Sequence, residues 1–241
     1  MKFIKTHDYE EMSKKACEIL INCLKSKPDA LFCIATGSSP TRTYQLFIHR
    51  VKKENIDFSQ MRIIKLDEWY GLPPEHPSTC EAYIREHIIE PLNISEDRYI
   101  SFNSLETDSK LECKRIEQLL HDNSKIDCCI LGIGKNGHLG LNEPNNSINP
   151  FIHKIALDEK TKTHTMLSSS KQEVTHGYTL GLKDILDSKE IVLLITGPGK
   201  NDAYEHLNIK TISSMHPANY LWLHNQATCV VDLSCIKQNI Q

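Results

Sequence analysis

The chain has 241 residues, 39% hydrophobic and 24% charged, and 28 Lys and Arg against 31 Asp and Glu leave a formal net charge of −3. That length suits one large domain with a substantial core. The balanced charge offers no basic face for nucleic acid, and no apolar run is long enough to cross a membrane.

The nine cysteines are odd in number and include no Cys-x-x-Cys pair. This argues against a disulfide framework or a zinc site and for reduced core cysteines in a cytoplasmic protein. The opening residues Met1-Lys2-Phe3-Ile4-Lys5 lack the long apolar region of a signal peptide.

Along the chain, strand-like and helix-like segments alternate with no repeat or linker. Asp8 followed by Glu11 reads as a capping box, and Met12, Ala16, Ile19, Leu20 and Cys23 then share one helical face. Ala30–Ala35 is a short apolar run expected as a buried strand. Tyr44, Phe47, Ile48 and Val51 predict a helix whose first turn begins near Pro40. Met61–Leu66 is the next strand. Ser78 and Glu81 repeat the capping-box pattern, predicting a helix toward Glu90 that stops before Pro91. A helix near Thr107–His121 precedes a strand at Asp127–Leu131, and further strands are expected at Tyr178–Leu182, Glu190–Ile195 and Ala227–Val231. Short apolar strands alternating with helices predict an α/β fold: a single domain, 1–241, of three αβα layers, doubly wound and Rossmann-like around a mostly parallel sheet.

Ligands in such sheets bind beyond the carboxyl ends of the strands. Four segments fall there: Thr36-Gly37-Ser38-Ser39-Pro40, Asp67-Glu68, the loop Gly132–Pro144, and Thr196-Gly197-Pro198-Gly199-Lys200. Thr36, Gly37, Ser38 and Ser39 precede a helix, where backbone N–H groups and the helix dipole suit a phosphate; an ordinary strand-to-helix turn capped by Ser39 is about as good a reading of that segment alone. Lys200 sits in a second glycine turn and could pair with the same anion. Gly132-x-Gly134-x-x-Gly137 matches the dinucleotide fingerprint, but Pro144 and the Asn-rich stretch after it are poor helix material, which disfavours a nicotinamide cofactor. His138 in the same loop reads either as a plain turn histidine or, with Glu143 five residues on, as half of an oriented acid–base pair. Asp67 and Glu68 meet a turn with an aromatic wall; a solvated acidic turn is the better reading of that pair alone, but a carboxylate with a raised pKa there would suit a base that moves a carbon-bound proton.

Together these motifs resemble the glucosamine-6-phosphate deaminase/isomerase family, whose superfamily includes 6-phosphogluconolactonases. The resemblance runs nearly end to end. It rests on Ala35–Pro40, Lys65-Leu66-Asp67-Glu68-Trp69, Gly132–Pro144, Thr179–Leu186 and Gly197–Lys200. The wording of Lys65–Trp69, Gly134–Pro144 and Ala218–His224 is most similar to the galactosamine-6-phosphate isomerase branch. The resemblance implies a 2-amino-2-deoxyhexose 6-phosphate as substrate, with no metal and no organic cofactor. His138, oriented by Glu143, would open the ring, and Asp67 would carry the C2 proton to C1 before the imine hydrolyses to ammonia and a ketose 6-phosphate. Thr36, Gly37, Ser38, Ser39 and Lys200 would hold the phosphate, with Glu68, Gly134 and Gly137 beside the substrate. A family phosphate arginine falls near Lys162 on a loose alignment. Approximately residues 150–176 would form a mobile lid, carrying Lys162 and His164. The family includes monomers and hexamers, so a homo-oligomer is one of two expected states.

The chain departs from the glucosamine enzymes at Asn136, where they carry an aspartate in a His–Glu–Asp arrangement. Asparagine can hold the ring but cannot offer a full negative charge to imidazolium. The expected function is therefore galactosamine-6-phosphate deaminase/isomerase, yielding tagatose 6-phosphate, with glucosamine-6-phosphate deaminase as the alternative. A lactonase using His138 on water, or a sugar-phosphate sensor without turnover, is a further alternative. Asp67 discriminates, because only isomerisation needs a base at C2.

Overall fold

The structure, a computed structural model, describes residues 1–123, 125–162, 165–167, 170 and 172–236. In chain order it runs β1 (Lys2–Thr6), α1 (Tyr9–Ser26), β2 (Leu31–Ile34), α2 (Ser38–Lys53), β3 (Arg62–Lys65), β4 (Asp67–Trp69), α3 (Cys80–Ile84), α4 (Glu90–Leu92) and β5 (Tyr99–Ile100). There follow α5 (Ser109–Asp122), β6 (Cys128–Gly132), β7 (His153–Ala156), α6 (Glu159–Lys162), β8 (His176–Thr179), α7 (Leu182–Leu186), β9 (Glu190–Ile195), α8 (Asn201–Ile209) and β10 (Ala227–Asp232).

Seven strands form one sheet in the order β1-β10-β9-β6-β2-β3-β5, and every pairing in it is parallel. The strands are apolar throughout because both faces are covered. Phe32, Ile34, Ile63, Cys128, Ile130, Val192 and Leu194 pack with α1 and α2 on one face. Their neighbours Leu31, Cys33, Ile64, Cys129, Leu131, Ile191 and Leu193 pack on the other with Ile116, Ile185 and Leu207 from α5, α7 and α8. The doubly wound αβα architecture follows. The winding reverses between β2 and β6: from β2 the chain builds outward to β3 and β5, and from β6 it builds the other way to β9 and β10. That reversal opens a crevice at the carboxyl ends of β2 and β6. The nine cysteines are free thiols, and no helix among the described residues is long and apolar enough to cross a membrane.

Several expected boundaries move. The N-terminal edge strand β1 is too polar to signal itself; Lys2 is exposed and Lys5 lies outside the core. The strand expected at Tyr178–Leu182 spans His176–Thr179 instead, and it lies in a separate antiparallel sheet of order β4-β8-β7, because Leu182 already opens α7. Helix α2 starts at Ser38 behind Gly37, so Ser39 lies inside the helix rather than capping it. Thr79, not Ser78, caps α3, accepting from Ala82 N at 3.0 Å, while Glu81 turns inward instead of closing a capping box. The helix also passes Pro91. A π turn over Arg85–Ile89 widens the ladder before the proline, which then sits in the first turn of α4, where a missing N–H costs nothing.

The edge of the sheet opposite the crevice is tied by Asp127. Its buried carboxylate takes Lys27 Nζ and Lys189 Nζ, each at 2.7 Å, and the Leu31 amide at 2.9 Å. Burial pushes this carboxyl up, but the two lysines and the amide outweigh it and hold it below the usual aspartate value. Its folded pKa is thus depressed, and its contribution to stability is present above about pH 4 and lost as pH falls through the folded value. Asp127→Ala is expected to cost about 1–3 kcal/mol at pH 7, and less at pH 3, by denaturant titration.

Candidate active site

The crevice at the winding reversal holds a cavity of about 250 Å³. Its wall is built from the turn after β2, from Leu66, Asp67 and Trp69, from the loop after β6, and from Thr196–Lys200 after β9. All four segments expected at the carboxyl edge therefore meet, and Thr161 of α6 closes one side.

The loop after β6 folds back on itself to place an imidazole. Gly134 N donates to His138 O at 2.9 Å, and Gly137 turns the chain at φ 87°. The His138 ring lies flat against Gly134: a Cβ there would sit 2.5 Å from three ring atoms. Nδ1 of His138 faces Oε2 of Glu143 at 3.1 Å. Asn136 braces both residues, donating Nδ2–H to Glu143 Oε2 at 2.8 Å and accepting the His138 amide at 3.3 Å. Thr161 donates to the other oxygen of Glu143. Burial pushes Glu143 up, but the bonds from His138, Thr161 and Asn136 outweigh it and keep its pKa below the usual range. A charged carboxylate behind Nδ1 leaves Nε2 as the ring's proton-exchanging atom.

Asp67 faces the cavity from the start of β4. Burial, helped by the nearby Glu68 charge, pushes its carboxyl up to about 7, against the pull of His138, Lys65 and the Cys80 thiol. That thiol lies 3.8 Å from Asp67 Oδ1 and itself accepts from Thr36 Oγ1 at 3.4 Å. A base with a pKa near neutrality suits transfer of a proton to and from carbon.

Behind Asp67 lies a buried charge cluster. Lys65 is fully buried and donates to Glu68 Oε2 and Glu81 Oε2, both at 2.7 Å. Glu68 also accepts the amides of Trp69, Cys80 and Glu81 at 2.7, 3.0 and 2.8 Å. Tyr99 and Arg85 complete the shell of Glu81.

The far end of the cavity is suited to an anion. The first amides of α2 have no side-chain cap, so Ser38 and Ser39 present them to the cleft. Lys200 stands opposite, its Nζ donating to Ile133 O. Burial, and then the neighbouring Lys135, pull its pKa down to about 8. The Lys135 stem would lie 3.3 Å from a Cβ at Gly199. Among the described residues neither lysine has an ion-pair partner. A phosphate between them would relieve their mutual repulsion.

Of the residues singled out in the sequence, Thr36, Gly37, Ser38, Ser39, Asp67, Gly134, Asn136, His138 and Lys200 line the cavity, and Glu143 stands directly behind His138. Glu68 does not line it; its carboxylate is consumed by Lys65 and three amides. Gly137 shapes the loop without reaching the wall. Lys162 points to Glu159 at 2.7 Å rather than into the cleft, and His164 lies outside the described residues. Sequence reasoning passed over Lys135 and Thr161. Lys135 was legible as a cation inside the glycine loop, whereas Thr161 carries no local signal.

Known proteins resemble this chain over nearly its whole length. The profile of the family described as "Glucosamine-6-phosphate isomerases/6-phosphogluconolactonase" matches residues 6–230. A protein of Escherichia coli (strain K12), named provisionally as the deaminase AgaI, is 43% identical over 93% of this chain and 89% of its own length. Glucosamine-6-phosphate deaminase of Bacillus pumilus (strain SAFR-032) is 37% identical over 96% of this chain and 97% of its own. A solved monomeric glucosamine-6-phosphate deaminase superposes with a TM-score of 0.93 at 33% identity, covering 98% of this chain and 100% of that one. The 6-phosphogluconolactonase of Plasmodium vivax shares the fold, with a TM-score of 0.76 at 16% identity over 98% of this chain and 90% of that one.

The raised pKa of Asp67 has a stability consequence. Its folded value, about 7, lies above the unfolded value near 4, so the folded state binds the proton more tightly between them and loses stability as pH rises through that window. Asp67→Asn is expected to melt higher than wild type at pH 8, with the difference closing toward pH 4, by calorimetry. Gly134→Ala is expected to drive the imidazole off its seat and lower activity at least about tenfold with the fold intact by circular dichroism.

Proposed function

The chain belongs to the glucosamine-6-phosphate isomerase/6-phosphogluconolactonase family, and on that premise we propose that it deaminates and isomerises a hexosamine 6-phosphate, with galactosamine 6-phosphate as its substrate and tagatose 6-phosphate plus ammonia as its products. The observation that carries this reading is Asp67: a carboxylate poised near neutrality, in one cavity with His138 and across from an anion seat. Lactone hydrolysis has no use for such a base. The relatives named as glucosamine-6-phosphate deaminases support the reaction class. The choice of galactosamine rests on the motif wording and on Asn136.

The phosphate sits between the α2 amides and Lys200, with Lys135 beside it. This places the sugar ring between His138 and Asp67. Nε2 of His138 takes the proton of the C1 hydroxyl and passes it to the ring oxygen as the C1–O5 bond breaks and the aldehyde forms, while Glu143 stabilises the transient charge through the far nitrogen. Asp67 then takes the C2 proton, and its return to C1 leaves an imine at C2. Water adds to that carbon, ammonia departs, and the ketose 6-phosphate remains. No step calls on a metal or an organic cofactor. In this reading residues 1–241 act as one domain, and residues 150–176 cover the bound sugar; Thr161 in the cavity wall supports that role.

An ammonia-release assay on the two amino-sugar phosphates tests the proposal. Galactosamine 6-phosphate is expected to show at least about a tenfold higher kcat/KM. The opposite preference would reassign the substrate to glucosamine 6-phosphate, and lactone hydrolysis without ammonia release would sink the deaminase reading. Because Asp67 must be ionised to act, kcat/KM is expected to fall about tenfold per pH unit below pH 7. Lys135→Ala is expected to raise KM with little change in kcat.

A further inference from the structure

Thr161 reaches the acid–base pair from a part of the chain unrelated to the glycine loop. It lies in α6 and is 4% exposed; its backbone N–H is bound to Asp158 O at 2.9 Å. Its hydroxyl donates to Oε1 of Glu143, and its oxygen lies 3.5 Å from Nδ1 of His138. A hydroxyl has one proton to give. With that proton on Glu143, the lone pairs of Thr161 face the imidazole, so the Nδ1–H rests between two acceptors. Glu143 is in turn fixed at both oxygens, Oε1 by Thr161 and Oε2 by His138 and Asn136. Without the hydroxyl, Oε1 would be a buried, charged acceptor short of a donor, and the carboxylate would turn to recover one, drawing Oε2 off the ring.

We propose that Thr161 is a positioning residue for the reaction: it locks the Glu143 carboxylate so that neutral His138 is held as the Nδ1–H tautomer, with Nε2 presented to the sugar. The proposal deepens the deaminase reading and rests on it for the role of Nε2. It also gives the segment around α6 a chemical task, because the pair is complete only while Thr161 is seated.

Two substitutions separate positioning from packing. Thr161→Val keeps the shape and removes the hydroxyl; Thr161→Ser keeps the hydroxyl and removes the methyl. Nitrogen-15 NMR of His138 in the unliganded protein at alkaline pH is expected to show the Nδ1–H tautomer in wild type and in Thr161→Ser, and a mixture with Nε2–H in Thr161→Val. Ammonia release from the preferred hexosamine 6-phosphate is expected to lose about 10- to 100-fold in kcat in Thr161→Val, with KM within about threefold, and to be kept within about threefold in Thr161→Ser. An unchanged tautomer in Thr161→Val, or an active valine variant beside an impaired serine one, would overturn the proposal. Should the wild type release no ammonia from either sugar, the function reading fails, while the NMR comparison still decides the role of Thr161.

Discussion

The ammonium of Lys65, wholly removed from solvent between Glu68 and Glu81, is the interaction on which the geometry of the cavity depends. Burial alone would lower its pKa; the two carboxylates outweigh burial and hold it above the usual lysine value. A buried ion pair is weak grounds for claiming stability, because desolvation offsets much of the attraction, but loss of one partner leaves an uncompensated charge in the core. Here the cluster joins three pieces of chain. Lys65 ends β3, Glu68 lies in β4 and binds the first amides of α3, and Glu81 in α3 takes the hydroxyl of Tyr99 in β5. Asp67 sits inside this frame, one residue from Glu68 and two from Lys65. The frame directs Asp67 into the cavity, and the negative charge of Glu68 helps keep its proton affinity high.

The same economy of charge governs the rest of the cleft. At one end Lys135 and Lys200, with no ion-pair partner among the described residues, face a helix start without a side-chain cap, an arrangement whose repulsion an anion would relieve. At the other, Glu143 is over-supplied with donors and stays ionised behind the imidazole. One carboxylate is pushed up and another pulled down a short distance apart. Such divergence between neighbouring titratable groups is what the proposed division of labour, a proton carrier beside an electrostatic support, requires. The parallel sheet brings the pieces together at the one place where its winding reverses, so that loops distant in sequence share a wall.

Much of this was legible in the chain. The runs at Leu31–Ile34, Cys128–Gly132 and Glu190–Ile195 announce themselves because a strand buried on both faces must be apolar at every position. The edge strand β1 does not, because it lies at the sheet's border and carries polar residues on its open side. Glu68 read as a substrate contact because an acidic pair at a strand end looks alike whichever carboxylate turns inward. The period-two alternation of a strand sends adjacent side chains to opposite faces, so only one of the pair reaches the cavity.

The sequence by itself determined the layered fold and the four loops at the carboxyl edge, and marked Asp67, His138 and Glu143 as candidate acid–base groups, because glycine turns, apolar runs and short-range spacing are local properties. Only the tertiary structure decided which groups reach the cavity and which serve the frame behind it. It turned Glu68 toward Lys65, took Lys162 out of the cleft, set Lys135 beside Lys200, and brought Thr161 onto Glu143. Glu68 and Lys162 each turn to a residue three positions away, whereas Lys135 and Thr161 meet partners in distant segments that no local pattern links. The physical reason is common to all four: a charge or hydroxyl takes its role from the partner that replaces water around it, and that partner is chosen by the fold.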